Sequence, residues 1–180
     1  MKPVSYTHLR AHETDSYLVC RLLLEKKKDI NSHSLNFYSG VFDYSDDGQK
    51  AVLFGFQHEN EDLVRDSFLG TISPVTGFMI TENNAAYGYT GVKAFYNLGQ
   101  INFTPSFTPG LYRQGDGKDL GHTVEFKTEL QFSLDVSSNS ELGFSYNHIS
   151  NASLGEKNPG ANSYMSVSYT HLTLPTNREV

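Results

Sequence analysis

The residues in this sequence best equipped for chemistry are His148 and Ser150, within Phe144-Ser-Tyr-Asn-His-Ile-Ser-Asn-Ala152. An imidazole that titrates near neutrality can take the proton of a serine hydroxyl as that hydroxyl attacks a carbonyl. The surrounding residues alternate: Leu142, Phe144, Tyr146, His148 and Ser150 share one parity, and Glu141, Gly143, Ser145 and Asn147 the other. A period of two predicts a strand, with residues i and i+2 on one face about 6–7 Å apart. The pair therefore projects from the apolar face. Spacing alone is weak evidence for catalysis, because a nucleophile and its base are recognised by geometry. After Ser150 a run rich in Gly, Pro and Asn reads as a loop, and a last strand starts near Asn162.

The elements that must position this pair are also strands. Leu35–Phe42 and Ala51–Gln57 flank an Asp46-Asp47-Gly48 turn, and the polar stretch His58–Asp66 has room for a helical turn. Leu69–Thr81, Ala86–Tyr96, Ile101–Tyr112, His122–Leu134 and Glu141–Ser150 follow, separated by Asn-, Gly- and Ser-rich turns. With the strand near Asn162 the count is eight. Short alternating segments between turn residues, with no long helical period, predict an all-β barrel.

His122–Leu134 addresses the environment. Val124, Phe126, Leu130, Phe132 and Leu134 face one way, and Glu125, Lys127, Glu129 and Gln131 the other. A soluble, lipocalin-like barrel would put the apolar set inside, and a membrane barrel would put it outside. Strands of about 10 residues match a tilted bilayer span. Aromatic residues near strand ends suit interfacial girdles. Eight strands enclose an interior just wide enough for side chains, where Glu125, Lys127 and Glu129 are expected to pair. The expected fold is an eight-stranded antiparallel up-and-down transmembrane β-barrel. His148 and Ser150 then lie on its outer wall, beside the Asn151–Ala161 loop. A polar pair there suits hydrolysis of a membrane-lipid ester.

The two ends read differently. Val-Ser-Tyr-Thr-His-Leu occurs at Val4–Leu9 and again at Val167–Leu172, with different continuations. These termini resemble translated sequencing-library adapters, so residues 1–28 and 168–180 are expected to be non-native, leaving 29–167 as one domain. Cys20 falls in the first of these segments. Residues 29–166 hold 16 Asp+Glu against 7 Lys+Arg, a net charge of −9. An acidic, cysteine-free domain argues against a nucleic-acid partner and a disulfide framework.

His148-Ile-Ser-Asn-Ala152, followed by Lys157-Asn-Pro-Gly160 and a strand, resembles the active-site segment of the lipid A 3-O-deacylases (PagL type). Phe107–Tyr112 and Gly115–His122 are similar to the same family's exterior region. The resemblance implies a bacterial outer-membrane barrel that cleaves the 3-O-linked acyl ester of lipopolysaccharide by a Ser-His-acid mechanism. No cofactor or metal is implied. The implied partners are lipid A and outer-membrane lipids, and a homodimer is compatible. By position, Ser150 is the expected nucleophile, His148 the base and Asn151 the oxyanion donor. The family's acid position is Asn162, where Glu is expected, and Glu156 in the adjoining loop is the alternative acid.

An amide at that position also fits a competing reading, a non-catalytic outer-membrane barrel with a structural or adhesive role. Asp116 and Asp119 could bridge a cation, but acidic Gly-rich loops are more often solvated. His122 reads as a rim residue. No zinc spacing, phosphate loop or dinucleotide fingerprint is present.

Overall fold

The computed structural model describes residues 32–60, 63–67, 70–137 and 140–173. The N-terminal segment expected to be non-native lies outside them. The strands are β1 (Ser32–Phe42), β2 (Ala51–Asn60), β3 (Arg65–Ser67), β4 (Gly70–Thr81), β5 (Ala86–Asn97), β6 (Asn102–Arg113), β7 (Val124–Ser137), β8 (Ser140–Ser150) and β9 (Ala161–Thr173). All pairings are antiparallel, and β2 pairs with β4 as well as β1. That pairing closes the sheet into an eight-stranded barrel. The ninth strand, β3, is a three-residue extension that pairs with β4 at its start. A closed barrel leaves no free edge among its eight strands, which is what a bilayer requires.

Alternation places the apolar residues outside. On β7, Leu130, Phe132 and Leu134 are each about half exposed, whereas Lys127 and Glu129 are buried. Phe37, Phe54, Phe56, Leu142 and Phe144 repeat this on β1, β2 and β8. An apolar wall around a polar interior is a transmembrane barrel, the reverse of a soluble one.

The interior is filled by a polar and aromatic network. Lys127 Nζ donates to Glu129 Oε2 at 2.6 Å and lies 4.0 Å from the centre of the Tyr89 ring. Tyr38 and Tyr89 hydroxyls both donate to Gln57 Oε1, at 3.1 and 3.2 Å. Their rings occupy the space over Gly55 and Gly77, where a Cβ would approach them to 2.6 and 2.5 Å. Lys93 forms an ion pair with Glu59, which also accepts from Asn36 Nδ2 at 2.6 Å. Glu125 departs from the expected pairing. Its carboxylate is buried with no hydrogen-bond partner among the described residues, while Lys127 turns to Glu129.

β9 runs past Val167. Its residues 168–173, within the tail expected to be non-native, pair with β1 from Phe37↔Ser168 to Ser32↔Thr173. Tyr169 points inward, is 5% exposed and accepts from Gln131.

Candidate active site

One end of the barrel carries three longer connections: 43–50 between β1 and β2, 114–123 between β6 and β7, and 151–160 between β8 and β9. The site lies at that end. His148 and Ser150 are two of the last three residues of β8 and project from its outer face, both half-buried, while Ile149 between them is buried.

The pairing of β8 with β9 sets Asn162 directly opposite His148. Asn162 Oδ1 lies 2.8 Å from His148 Nδ1 and accepts from the Tyr146 hydroxyl at 2.8 Å. The residue fourteen positions from the histidine thus reaches the ring nitrogen that an orienting group must hold. Gly160 leaves room for the other edge of the ring. Its φ of +63° favours glycine, and a Cβ there would come within 3.0 Å of His148 Cε1 and 3.5 Å of Nε2.

Ser150 shares the outer face with His148, but no hydrogen bond joins the two side chains among the described residues. Such contacts are often long before substrate arrives. Glu156 lies exposed in the loop, and Asn162 rather than Glu156 occupies His148 Nδ1.

Asn151 has a different task from the one expected of it. Its Nδ2 donates to Leu120 O and to Lys157 O, both at 2.8 Å, and its Oδ1 accepts from Ser153 N at 2.9 Å. Both amide hydrogens are spent, and the side chain is fully buried. Asn151 therefore ties the 114–123 loop to the 151–160 loop, and it has no amide hydrogen left for an oxyanion. The same bonds hold Ala152 and Ser153 at φ of 51° and 65°, an uncommon backbone immediately after Ser150.

The acidic loop residues do not converge on a metal site. Asp119 pairs with Lys157 at 2.6 Å and accepts from Gly121 N at 2.8 Å, and the lysine holds its carboxyl below the usual range. Asp116 receives Asn84 Nδ2 at 3.4 Å. Among the described residues no group of three metal-ligating side chains is present. His122 Nδ1 accepts from Val124 N at 3.0 Å, on the exposed rim.

Sequence reasoning missed the groups behind Asn162. Asn162 Nδ2 donates to Ser45 Oγ at 3.2 Å, and Ser45 Oγ donates to Asp43 Oδ1 at 3.2 Å. Asp43 is buried, pairs with Lys118, and lies 3.4 Å from Asn162 N. Its φ of 48° was the one local clue, and sequence does not display it. Beside this group the Tyr164 and Tyr44 hydroxyls lie 3.3 Å apart, within hydrogen-bond reach of one another.

Residues 82–170 match the family model of the lipid A 3-O-deacylases (PagL). That segment carries the PagL-family match. The matched segment contains His148, Ser150, Asn151, Glu156 and Asn162, and the family is one of ester hydrolases acting on lipid A. The crystal structure of the outer membrane enzyme PagL is similar at a TM-score of 0.60 and 16% identity, over 76% of this chain and 98% of that one. Neisserial surface protein A is similar at 0.53 and 10% identity, over 77% of this chain and 95% of that one. At such identities the likeness establishes the fold, which is that of outer-membrane barrels. No curated protein sequence matches significantly.

Proposed function

We propose that the chain is an outer-membrane esterase that removes the 3-O-linked acyl chain of lipid A, with Ser150 as nucleophile and His148 as general base. The observation that carries this reading is the 2.8 Å contact between His148 Nδ1 and Asn162 Oδ1, beside Ser150 on the lipid-facing wall. With Nδ1–H bound to Asn162, Nε2 keeps its lone pair and can take the Ser150 Oγ proton. Oγ bonds to the ester carbonyl carbon. Collapse of the tetrahedral species breaks the bond to the sugar 3-oxygen, which takes the proton from His148. Water, deprotonated by His148, then releases the acyl group from Ser150 and regenerates the hydroxyl.

Location supports the substrate class. The pair faces lipid at the end of β8, where the ester of an outer-leaflet lipid would lie, and Phe144, Tyr146 and Tyr164 line the wall beside it. A polar pair on that face is costly at membrane depth and tolerable at the interface.

The test is mass spectrometry of lipopolysaccharide incubated with the refolded full chain and with Ser150→Ala. A closed barrel is verified first by its gel shift on heating. Loss of one 3-hydroxyacyl mass, absent with Ser150→Ala, is the expected result. No mass change from the folded wild type overturns the proposal and favours a non-catalytic barrel, the reading for which an amide at position 162 is the argument.

A further inference from the structure

The orienting group of His148 is an amide, and an amide carries no charge to stabilise the imidazolium. The hydrogen bonds behind it lead to one. An ionised Asp43 can only accept, so the Ser45 hydroxyl gives it its single hydrogen at 3.2 Å. Ser45 can then only accept from Asn162, which must turn its NH2 toward Ser45, at 3.2 Å, and its oxygen toward His148 and Tyr146. That oxygen in turn requires hydrogen on His148 Nδ1. Every bond in the chain points toward the carboxylate, and bonds aligned in this way polarise one another.

We propose that Asp43, acting through Ser45 and Asn162, supplies the negative charge of this site at two removes and fixes the tautomer of His148. Asp43 and Ser45 are positioning residues; neither touches the ester. The inference rests on the Ser150/His148 reading and adds the residues that make an amide workable in it. Asp43 is held from several sides. Lys118 of the 114–123 loop forms an ion pair with it and also reaches Asp46 at 3.6 Å. Asp43 N bonds to Ser163 Oγ at 3.4 Å, and Asn162 N to Asp43 Oδ1 at 3.4 Å. Lys118 draws off part of the charge, so the effect at His148 is smaller than that of a direct acid. The titratable groups beside the chain, Tyr146, Tyr164 and Tyr44, face it from β8, β9 and the 43–50 turn.

The decisive variant is Ser45→Ala, which interrupts the chain and leaves the Asp43–Lys118 pair in place. Ser45→Thr restores the hydroxyl. In refolded full-length protein, nitrogen NMR of the imidazoles, assigned by loss of one set in His148→Gln, reports the His148 tautomer and its titration. The expected result for Ser45→Ala is a mixed tautomer and an imidazole titration lowered by about half a unit. The acidic limb of kcat/KM should shift likewise, with activity near neutrality falling roughly 3–10-fold. Ser45→Thr should recover all three, and Asp43→Asn should reproduce Ser45→Ala. If Asp43→Asn does not refold, Ser45→Ala and Ser45→Thr decide. Wild-type tautomer and titration in Ser45→Ala, with the heat-dependent gel shift intact, overturn the inference. Because NMR needs no turnover, an inactive wild type refutes the esterase reading separately.

Discussion

Replacing Asn162 by Asp puts a carboxylate in place of an isosteric amide, with its oxygen 2.8 Å from His148 Nδ1. A direct opposite charge at this range raises an imidazole by about 1–3 pKa units, each worth about 1.4 kcal/mol of imidazolium stabilisation. In the serine-protease example, losing that charge to an amide costs about 10⁴ in kcat. Two features of this structure reduce the gain. Asp43 Oδ1 is already 3.4 Å from the backbone nitrogen of residue 162, so the new charge meets a like one, itself paired with Lys118. The substitution also loses the Nδ2 donor to Ser45, about 1 kcal/mol of hydrogen bonding. The expected outcome is a rise in kcat/KM of about 10–100-fold, with the acidic limb moved up by about one pH unit. Initial rates of 3-hydroxy fatty acid release from lipopolysaccharide, from about pH 5 to 9, measure both. A rate unchanged or lowered in a barrel with a normal heat-dependent gel shift would refute the assignment of His148 as the base that residue 162 supports.

Gly160→Ala should lower kcat/KM by at least about 10-fold without unfolding the barrel, since its Cβ would press within 3.0 Å of His148 Cε1 at a φ of +63°; kinetics together with the gel shift check it. Lys127→Met leaves the Glu129 carboxylate buried without its cation, and should destabilise by about 3–5 kcal/mol. A lower temperature for loss of the folded band tests this, and adding Glu129→Gln should recover most of the loss. The Lys157 contact lowers the titration of Asp119, so the clamp between the two loops is complete above about pH 5 and weakens only as pH falls through the lowered value. Amide exchange at Gly121, whose N–H bonds to Asp119 Oδ1 at 2.8 Å, should quicken there and not before; faster exchange already at pH 6 would contradict it.

Much of the fold was legible because a strand's two faces are written in consecutive residues. The alternation on β7 and β8 and the Asn- and Gly-rich turns predicted all eight barrel strands to within a few residues, and parity placed His148 and Ser150 together on the lipid side. Position 162, opposite His148, was legible only through the family resemblance. The three-residue β3 escaped notice because it has no pattern of its own and exists by pairing with β4.

What the sequence by itself determined is therefore the local part: strand number, the outward apolar set, and a serine beside a histidine at a strand end. Tertiary structure alone decided the rest. Closure of β2 on β4, the choice of Glu129 over Glu125 by Lys127, and the use of Asn151 as a loop tie depend on which side chains the curved wall brings within 3 Å. The same holds for Asp43 and Ser45, which lie 119 and 117 residues from Asn162 along the chain. Periodicity is a property of neighbours in sequence, whereas a hydrogen bond depends on distance and direction in space, and only the closed barrel sets those.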